Sequence, residues 1–358
     1  MNDDVLREIV YHADIRSIFR FCQVNTTLCH QQDFLFQKIY DRFYHQTDMH
    51  VYKSTEKTWF QLIKRCYLLE KLRMTLPILN KYSIKELYTL QQLDLTNNQL
   101  SALPPEIGQL NHLKVLDLSN NQLSVLPPEM GQMSALQQLS LSYNQLSTLL
   151  QEMGRMSHLQ ELDLSYNQLS ELPTEMGQLR DLKYLDLNDN QLSALPPEIG
   201  HLSDLQELDL SNNQLNELLP EMGQLSALQV LFLNHNQLSA LPQGMGQLSA
   251  LQELDLSDNK LSVFPPEMGQ LCALQYMYVH NNQLSALPPE IGHLRDLQYL
   301  DLSHNQLNVL PPEMGQLSAL QQLYLHNNQL NALPPEMSQL SHLQKLYLHN
   351  NHRDSLHK

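Results

Sequence analysis

Residues 90–112 read LQQLDLTNNQLSALPPEIGQLNH, and residues 113–135 read LKVLDLSNNQLSVLPPEMGQMSA. The second stretch restates the first at a spacing of 23 residues, and that spacing runs without insertion to the unit that begins at Leu343, giving twelve units. A unit this short cannot bury its own apolar face, whereas stacked neighbours can, so the pattern predicts a solenoid. In L-x-x-L-x-L-x-x-N-x-L the central leucines alternate with polar residues, the period of a strand with one buried face. The following L-P-P-E-I/M-G segment carries Pro where a helical turn starts and Gly where one ends. Two departures stand out. Leu150 and Gln151 replace the Pro pair, which predicts a locally altered outer side, and Ser338 replaces the Gly. The residue before that Gly is Met or Ile, as at Met130 and Ile107, and reads as a core filler.

The ninth position is Asn in every unit, from Asn98 through Asn213 to Asn351. A buried amide offers two donors and an acceptor, so these residues read as a ladder serving free backbone groups where the chain leaves each strand.

These motifs resemble the leucine-rich repeat family over about three quarters of the chain, and the L-P-x-E-I-G-x-L half is most similar to the Ras-group-related type of repeat. The resemblance implies an α/β solenoid: a horseshoe with a parallel sheet on its concave face and turns or short helices outside.

Charge follows the same border. The chain carries a net −16. Residues 1–89 hold 13 Lys and Arg against 10 Asp and Glu, so residues 90–358 hold 9 against 28. An array of net −19 repels phosphate and argues against nucleic acid as a partner. Four scattered cysteines give no metal-ligand spacing and no paired framework, which suits reduced thiols. The first residues lack a basic segment followed by an apolar run, and no apolar run reaches the roughly 20 residues a membrane span needs. The expectation is a cytoplasmic or nuclear protein, neither secreted nor membrane-bound.

The variable strand positions choose a ligand, and the fold does not. The third, fifth, seventh and eighth positions are expected to point into or rim the concave side. The fifth begins acidic (Asp163, Asp186, Asp209, Asp255, Asp301) and becomes aromatic (Phe232, Tyr278, Tyr324, Tyr347). Tyr184, Tyr276 and Tyr299 occupy the third position; His280, His326 and His349 occupy the seventh. An amphipathic aromatic and His surface of this kind suits recognition of a target protein. His326 and His349 without a carboxylate at ligand spacing read as solvated histidines, not a metal site. Asp186-x-Asn188-x-Asn190 copies the start of a calcium loop, but Gln191 stands where Gly is needed. No nucleophile elbow, phosphate loop or metalloprotease helix is present, so no enzyme, cofactor or metal is expected.

Before the array, residues 3–25 read DDVLREIVYHADIRSIFRFCQVN. Asp3 and Asp4 precede an apolar run, as at a helix start. Val5, Leu6, Ile9 and Val10 form one helical face, and Ile15, Ile18, Phe19 and Cys22 a second. With F-x-x-x-Y at Phe36 and Tyr40, residues 1–44 resemble an F-box, a small all-α bundle. Met1 and Asn2 occupy the positions where that family usually carries Leu-Pro. The resemblance implies that Val5, Leu6, Ile9, Ile15 and Phe19 help dock the Skp-type adaptor of a cullin–RING ubiquitin ligase. Residues 45–89 read as a helical linker and N-terminal cap, in which Trp59, Phe60, Ile63, Cys66, Tyr67 and Leu69 cover the open end of the repeats at 90–358. The expected function is a non-catalytic adaptor, monomeric outside its complex, that holds a target near the ligase. The second reading is a scaffold without ubiquitin function that binds a signalling protein such as a Ras-like GTPase.

Overall fold

The computed structural model describes residues 33–44, 49 and 59–352. The expected docking residues Val5, Leu6, Ile9, Ile15 and Phe19 lie outside them. Among the described residues the chain forms two compact units: one runs to Leu93 and includes Leu103–Leu113, and the other is Asp94–Ala102 with everything from Lys114 onward.

The first unit contains α1 (Asp33–Phe43), α2 (Trp59–Thr75) and α3 (Ile84–Thr89). Helix α2 buries Leu62, Ile63, Cys66, Leu69 and Leu72, while Trp59 and Tyr67 are only half-buried. Trp59 sits 5.1 Å from the Tyr40 ring. Arg65 lies 4.0 Å over the Tyr88 ring and donates to the Gln109 carbonyl at 3.1 Å and to the Asn111 side chain. Lys71 pairs with the buried Glu106. Helix α3 starts in a capping box that satisfies two otherwise free donors: Glu86 N–H donates to Ser83 Oγ, and Ser83 N–H donates to the Glu86 carboxylate at 2.7 Å.

The repeats supply twelve three-residue strands, from Gln92–Asp94 (β1) to Lys345–Tyr347 (β12), in one parallel sheet whose strand order is the sequence order. Partners stand one repeat apart, as Tyr276 opposite Tyr299 and Leu208 opposite Leu231, so equivalent positions form ladders across the sheet. The middle residue of each strand points inward and is buried in the interior strands. In the unit beginning at Leu182, Leu185, Leu187, Leu192, Ile199 and Leu202 are fully buried with it. Burying each such side chain contributes about 1.5–3 kcal/mol, which drives the stacking.

After each strand the backbone turns through a left-handed residue at position eight, from Asn97 (φ 58°) to Asn350 (φ 56°). The Asn at position nine then ties two repeats together. Asn167 Nδ2 donates to the carbonyls of Leu141, Leu164 and Ser165, and its Oδ1 accepts from Leu146 N–H at 3.0 Å. The outer half of each of the first eleven units is a five-residue 3-10 turn, as at Pro197–His201.

Two expectations about that outer half are corrected. The glycines do not mark the ends of the turns, which run one residue further, and none of those described has positive φ. They lie inside the 3-10 turn, where a Cβ would meet the next repeat: at Gly269 it would stand 2.4 Å from the Glu290 carbonyl oxygen. The glycine therefore sets how closely successive turns stack. The outer side is also unaltered at Leu150. Gln151–Arg155 is the same 3-10 turn, because Leu150 (φ −85°, ψ 140°) takes the extended conformation that Pro127 (φ −75°, ψ 138°) has.

Candidate binding face

The strands carry positions three and five on the open side of the sheet. Tyr184, Tyr276 and Tyr299 are first residues of their strands; Asp163, Asp186, Asp209, Phe232, Asp255, Tyr278, Asp301, Tyr324 and Tyr347 are last. His280, His326 and His349 follow two residues after a strand end. All of these residues thus belong to one face.

The face has two chemistries. Its aspartates serve the turn beneath them. Asp163 Oδ1 accepts from Ser165 N–H at 3.0 Å and from Ser165 Oγ at 2.7 Å, and Asp117, Asp209, Asp255 and Asp301 hold Ser119, Ser211, Ser257 and Ser303 likewise. One carboxylate oxygen of each is thereby committed to local structure, so the acidic row is only partly available to a partner. The D-L-S spacing of the repeat carries this signal, which a position-by-position reading of the face passes over. The row is also crowded. Burial, with the charges of Asp209 and Asp163 added, pushes Asp186 up to about 6, although the Asn188 N–H and Tyr184 hydroxyl bonds oppose the shift. Burial and Asp209 likewise raise Glu207.

Toward the C-terminal end the Asp–Ser pair gives way to a Tyr–His pair: Tyr278 with His280, Tyr324 with His326, Tyr347 with His349. The new side chains touch across strands. Ring centroids are 4.9 Å apart for Tyr278–Tyr299, 5.2 Å for Tyr299–Tyr324 and 4.6 Å, stacked, for Tyr324–Tyr347. Beside them His326 stacks on His349 at 4.5 Å and meets His304 edge-on at 5.4 Å. Burial holds His326 below its usual range, and the neighbouring His349 adds to the effect. Tyr347 at the end of the ladder and Tyr276 beside it keep 39% and 38% of their surface open, so this region offers ring surface to a partner. Phe232 stands apart from it, between Asp209 and Asp255 in register.

A second aromatic pair belongs to the rim. Tyr143 and Tyr166 occupy position eight, stack at 4.2 Å and 7°, and are largely exposed. Both hold the left-handed conformation that favours Asn or Asp there. Among the described residues no group of three or more His, Cys, Asp or Glu is arranged to hold a metal ion, and no helix is long and apolar enough to cross a membrane.

The profile described as a leucine-rich repeat region matches residues 173–265 and 265–358, and that described as a leucine rich repeat matches 88–146 and 134–192. The chain belongs to the leucine-rich repeat family, a protein-binding scaffold class, and no catalytic family is indicated. No curated protein matches. Among solved structures, the chain is similar to an internalin from Listeria monocytogenes at 21% identity and TM-score 0.61, covering 80% of this chain and 89% of that one. It is similar to a plant peptide hormone receptor solved in complex with RGF2 at 30% identity and TM-score 0.54, covering 74% of this chain. There it spans about half (52%) of the receptor chain. It also matches a chain of the octameric complex of latrophilin 3, Unc5D and FLRT2, whose leucine-rich repeat component is FLRT2, at 28% identity and TM-score 0.58, covering 67% of this chain and 76% of that one.

Proposed function

We propose that this chain is the substrate-recognition adaptor of a Skp–cullin–F-box type ubiquitin ligase, holding a target protein on the open face of its sheet. The target-binding half rests on one observation above all, the connected ring ladder Tyr278–Tyr299–Tyr324–Tyr347. Rings that touch across strands, three of them where other units carry the Asp of an Asp–Ser pair, give a continuous, partly open aromatic surface on this face. Similar structures solved in complex with RGF2, and in a complex with latrophilin 3 and Unc5D, support protein capture on such repeats. The docking half rests on the F-box-like spacing of residues 1–44, with Val5, Leu6, Ile9, Ile15 and Phe19 facing the Skp-type adaptor. Catalysis belongs to other subunits; this chain raises the local concentration of target lysines near the transferring enzyme. Co-expression with a Skp–cullin pair is expected to give a complex that Ile9→Asp abolishes. A chain that never co-purifies, or a complex indifferent to Ile9→Asp, overturns the adaptor reading and leaves the scaffold, for which nucleotide-dependent capture of a Ras-like GTPase is the measurement.

A further inference from the structure

The face that the ladder occupies is electrostatically incomplete. In register, Glu253 stands opposite Tyr276 and Asp255 opposite Tyr278, while Asp301 stands opposite Tyr278 on its other side and opposite Tyr324. Tyr278 is therefore flanked by an aspartate on each neighbouring strand, and Tyr276 has a glutamate beside it. All three carboxylates are near enough to act electrostatically on Tyr278. Among the described residues no Lys or Arg pairs with Glu253, Asp255 or Asp301. The cationic candidates nearby are histidines: His280 Nδ1 is 3.7 Å from Asp301 and its Nε2 3.6 Å from Asp258, His235 is 3.7 Å from Asp258, and His326 interacts with Asp301. Asp255 and Asp301 each commit Oδ1 to the serine turn; Asp301 Oδ2 faces His280, and Asp255 Oδ2 has no hydrogen bond among the described residues. Burial, with Asp255 adding, raises Glu253, and burial, then Glu253 and Asp255, raise Tyr278.

Resting on the reading that this face captures a protein, we propose that it recognises an Arg-bearing extended segment of the partner. A guanidinium lies on the exposed ring of Tyr276 and the open part of the half-buried Tyr278, with its edge donating to Glu253, Asp255 or Asp301. Arg fits better than Lys, because a planar guanidinium can stack on a ring while its rim bonds a carboxylate, and it sheds water more readily than an ammonium. The net −19 of residues 90–358 draws a basic segment toward the face, and the ring–carboxylate pairs fix where it sits.

The test is fluorescence anisotropy of the full chain with a labelled peptide of three Arg-Gly-Gly repeats, compared with Lys and Glu counterparts at about 0.15 M salt. The Arg peptide is expected to bind about fivefold or more tighter than the Lys peptide, and the Glu peptide not at all. Tyr278→Ala should weaken it about tenfold or more, and Asp255→Asn, which keeps an acceptor for Ser257, about fivefold. Tyr276→Ala, at an exposed ring, repeats the test should Tyr278→Ala misfold. Glu152→Gln, on an outer turn, is the control and should leave binding unchanged. No binding, equal binding of Arg and Lys, or equal losses from Glu152→Gln and Asp255→Asn would show general attraction to an acidic surface and overturn the proposal. Ile9→Asp must leave peptide binding intact, so failure of the ligase reading and failure of this one are separate results.

Discussion

The side-chain amide of Asn213 reaches back into the preceding repeat and donates to the Leu187 carbonyl at 2.9 Å, while its oxygen accepts the Leu192 N–H at 3.0 Å. It also donates to the Leu210 and Ser211 carbonyls. One buried side chain thus closes backbone groups in two repeats, and deleting it leaves a buried donor with no other bond. Asn213→Ala is expected to destabilise by about 2–4 kcal/mol, read from urea unfolding. Asn213→Asp keeps the acceptor but faces carbonyl oxygens with a charge, so at neutral pH it should lose at least as much. An Asp variant as stable as the parent would refute the ladder.

Glycine does a different job at Gly177, where a Cβ would lie 2.4 Å from the Glu198 carbonyl oxygen. The neighbour is backbone and cannot rotate away. Gly177→Ala should destabilise by about 1–2 kcal/mol: overpacking costs about 1–3, and the lost freedom of the unfolded chain returns part of it. Ser338 reports the converse. No later 3-10 turn stands over it among the described residues, and its exposed hydroxyl donates to Pro335 at 2.8 Å. Ser338→Ala should change stability by less than about 0.5 kcal/mol. Equal losses at the two sites would show that close stacking is not what the glycine provides.

The repeat period, the strand alternation and the Asn ladder were all legible in the sequence, because each is a spacing that one chain displays twelve times. The glycine's role was not, since it depends on a distance between repeats that no spacing encodes. The face was half legible. Reading the fifth position of each unit found the acidic-to-aromatic gradient but took Asp163 and Asp301 as target ligands without seeing that each also holds a serine. Tyr143 and Tyr166 were missed as a pair, although Asn or Asp fills position eight in eight of twelve units and signals the left-handed turn. Two tyrosines in a place that disfavours them mark a surface that folding alone does not explain.

Leu150 offers a stabilising substitution. Its backbone is already extended (φ −85°, ψ 140°), close to that of Pro127 (φ −75°) in the equivalent place, and its side chain is only half-buried. Leu150→Pro should therefore raise stability by about 0.4–1 kcal/mol by restricting the unfolded chain, seen as a higher Tm. A lower Tm would mean that the Leu side chain contributes packing that outweighs the gain.

Asp186 gives a pH signature with a definite sign. Burial pushes its carboxyl from 3.8 to about 6 in the fold, with Asp209 and Asp163 adding to the rise. Because the folded value lies above the unfolded one, the native state holds this proton more tightly. Its contribution to stability is therefore largest below about pH 4 and declines as the pH rises through about 6. A shift of this size corresponds to at most about 3 kcal/mol, and screening of a half-buried group reduces it to about 1 kcal/mol. Asp186→Asn keeps an acceptor for the Asn188 N–H, bonded at 2.9 Å, and removes the charge. Thermal melts should show the variant more stable than the parent near pH 7.5 and indistinguishable from it near pH 4. A gain that persists at pH 4, or a loss at pH 7.5, would contradict burial of an uncompensated charge. A gain confined to the higher pH would show that this face keeps a carboxylate at the expense of stability, as a surface poised for a cationic partner does.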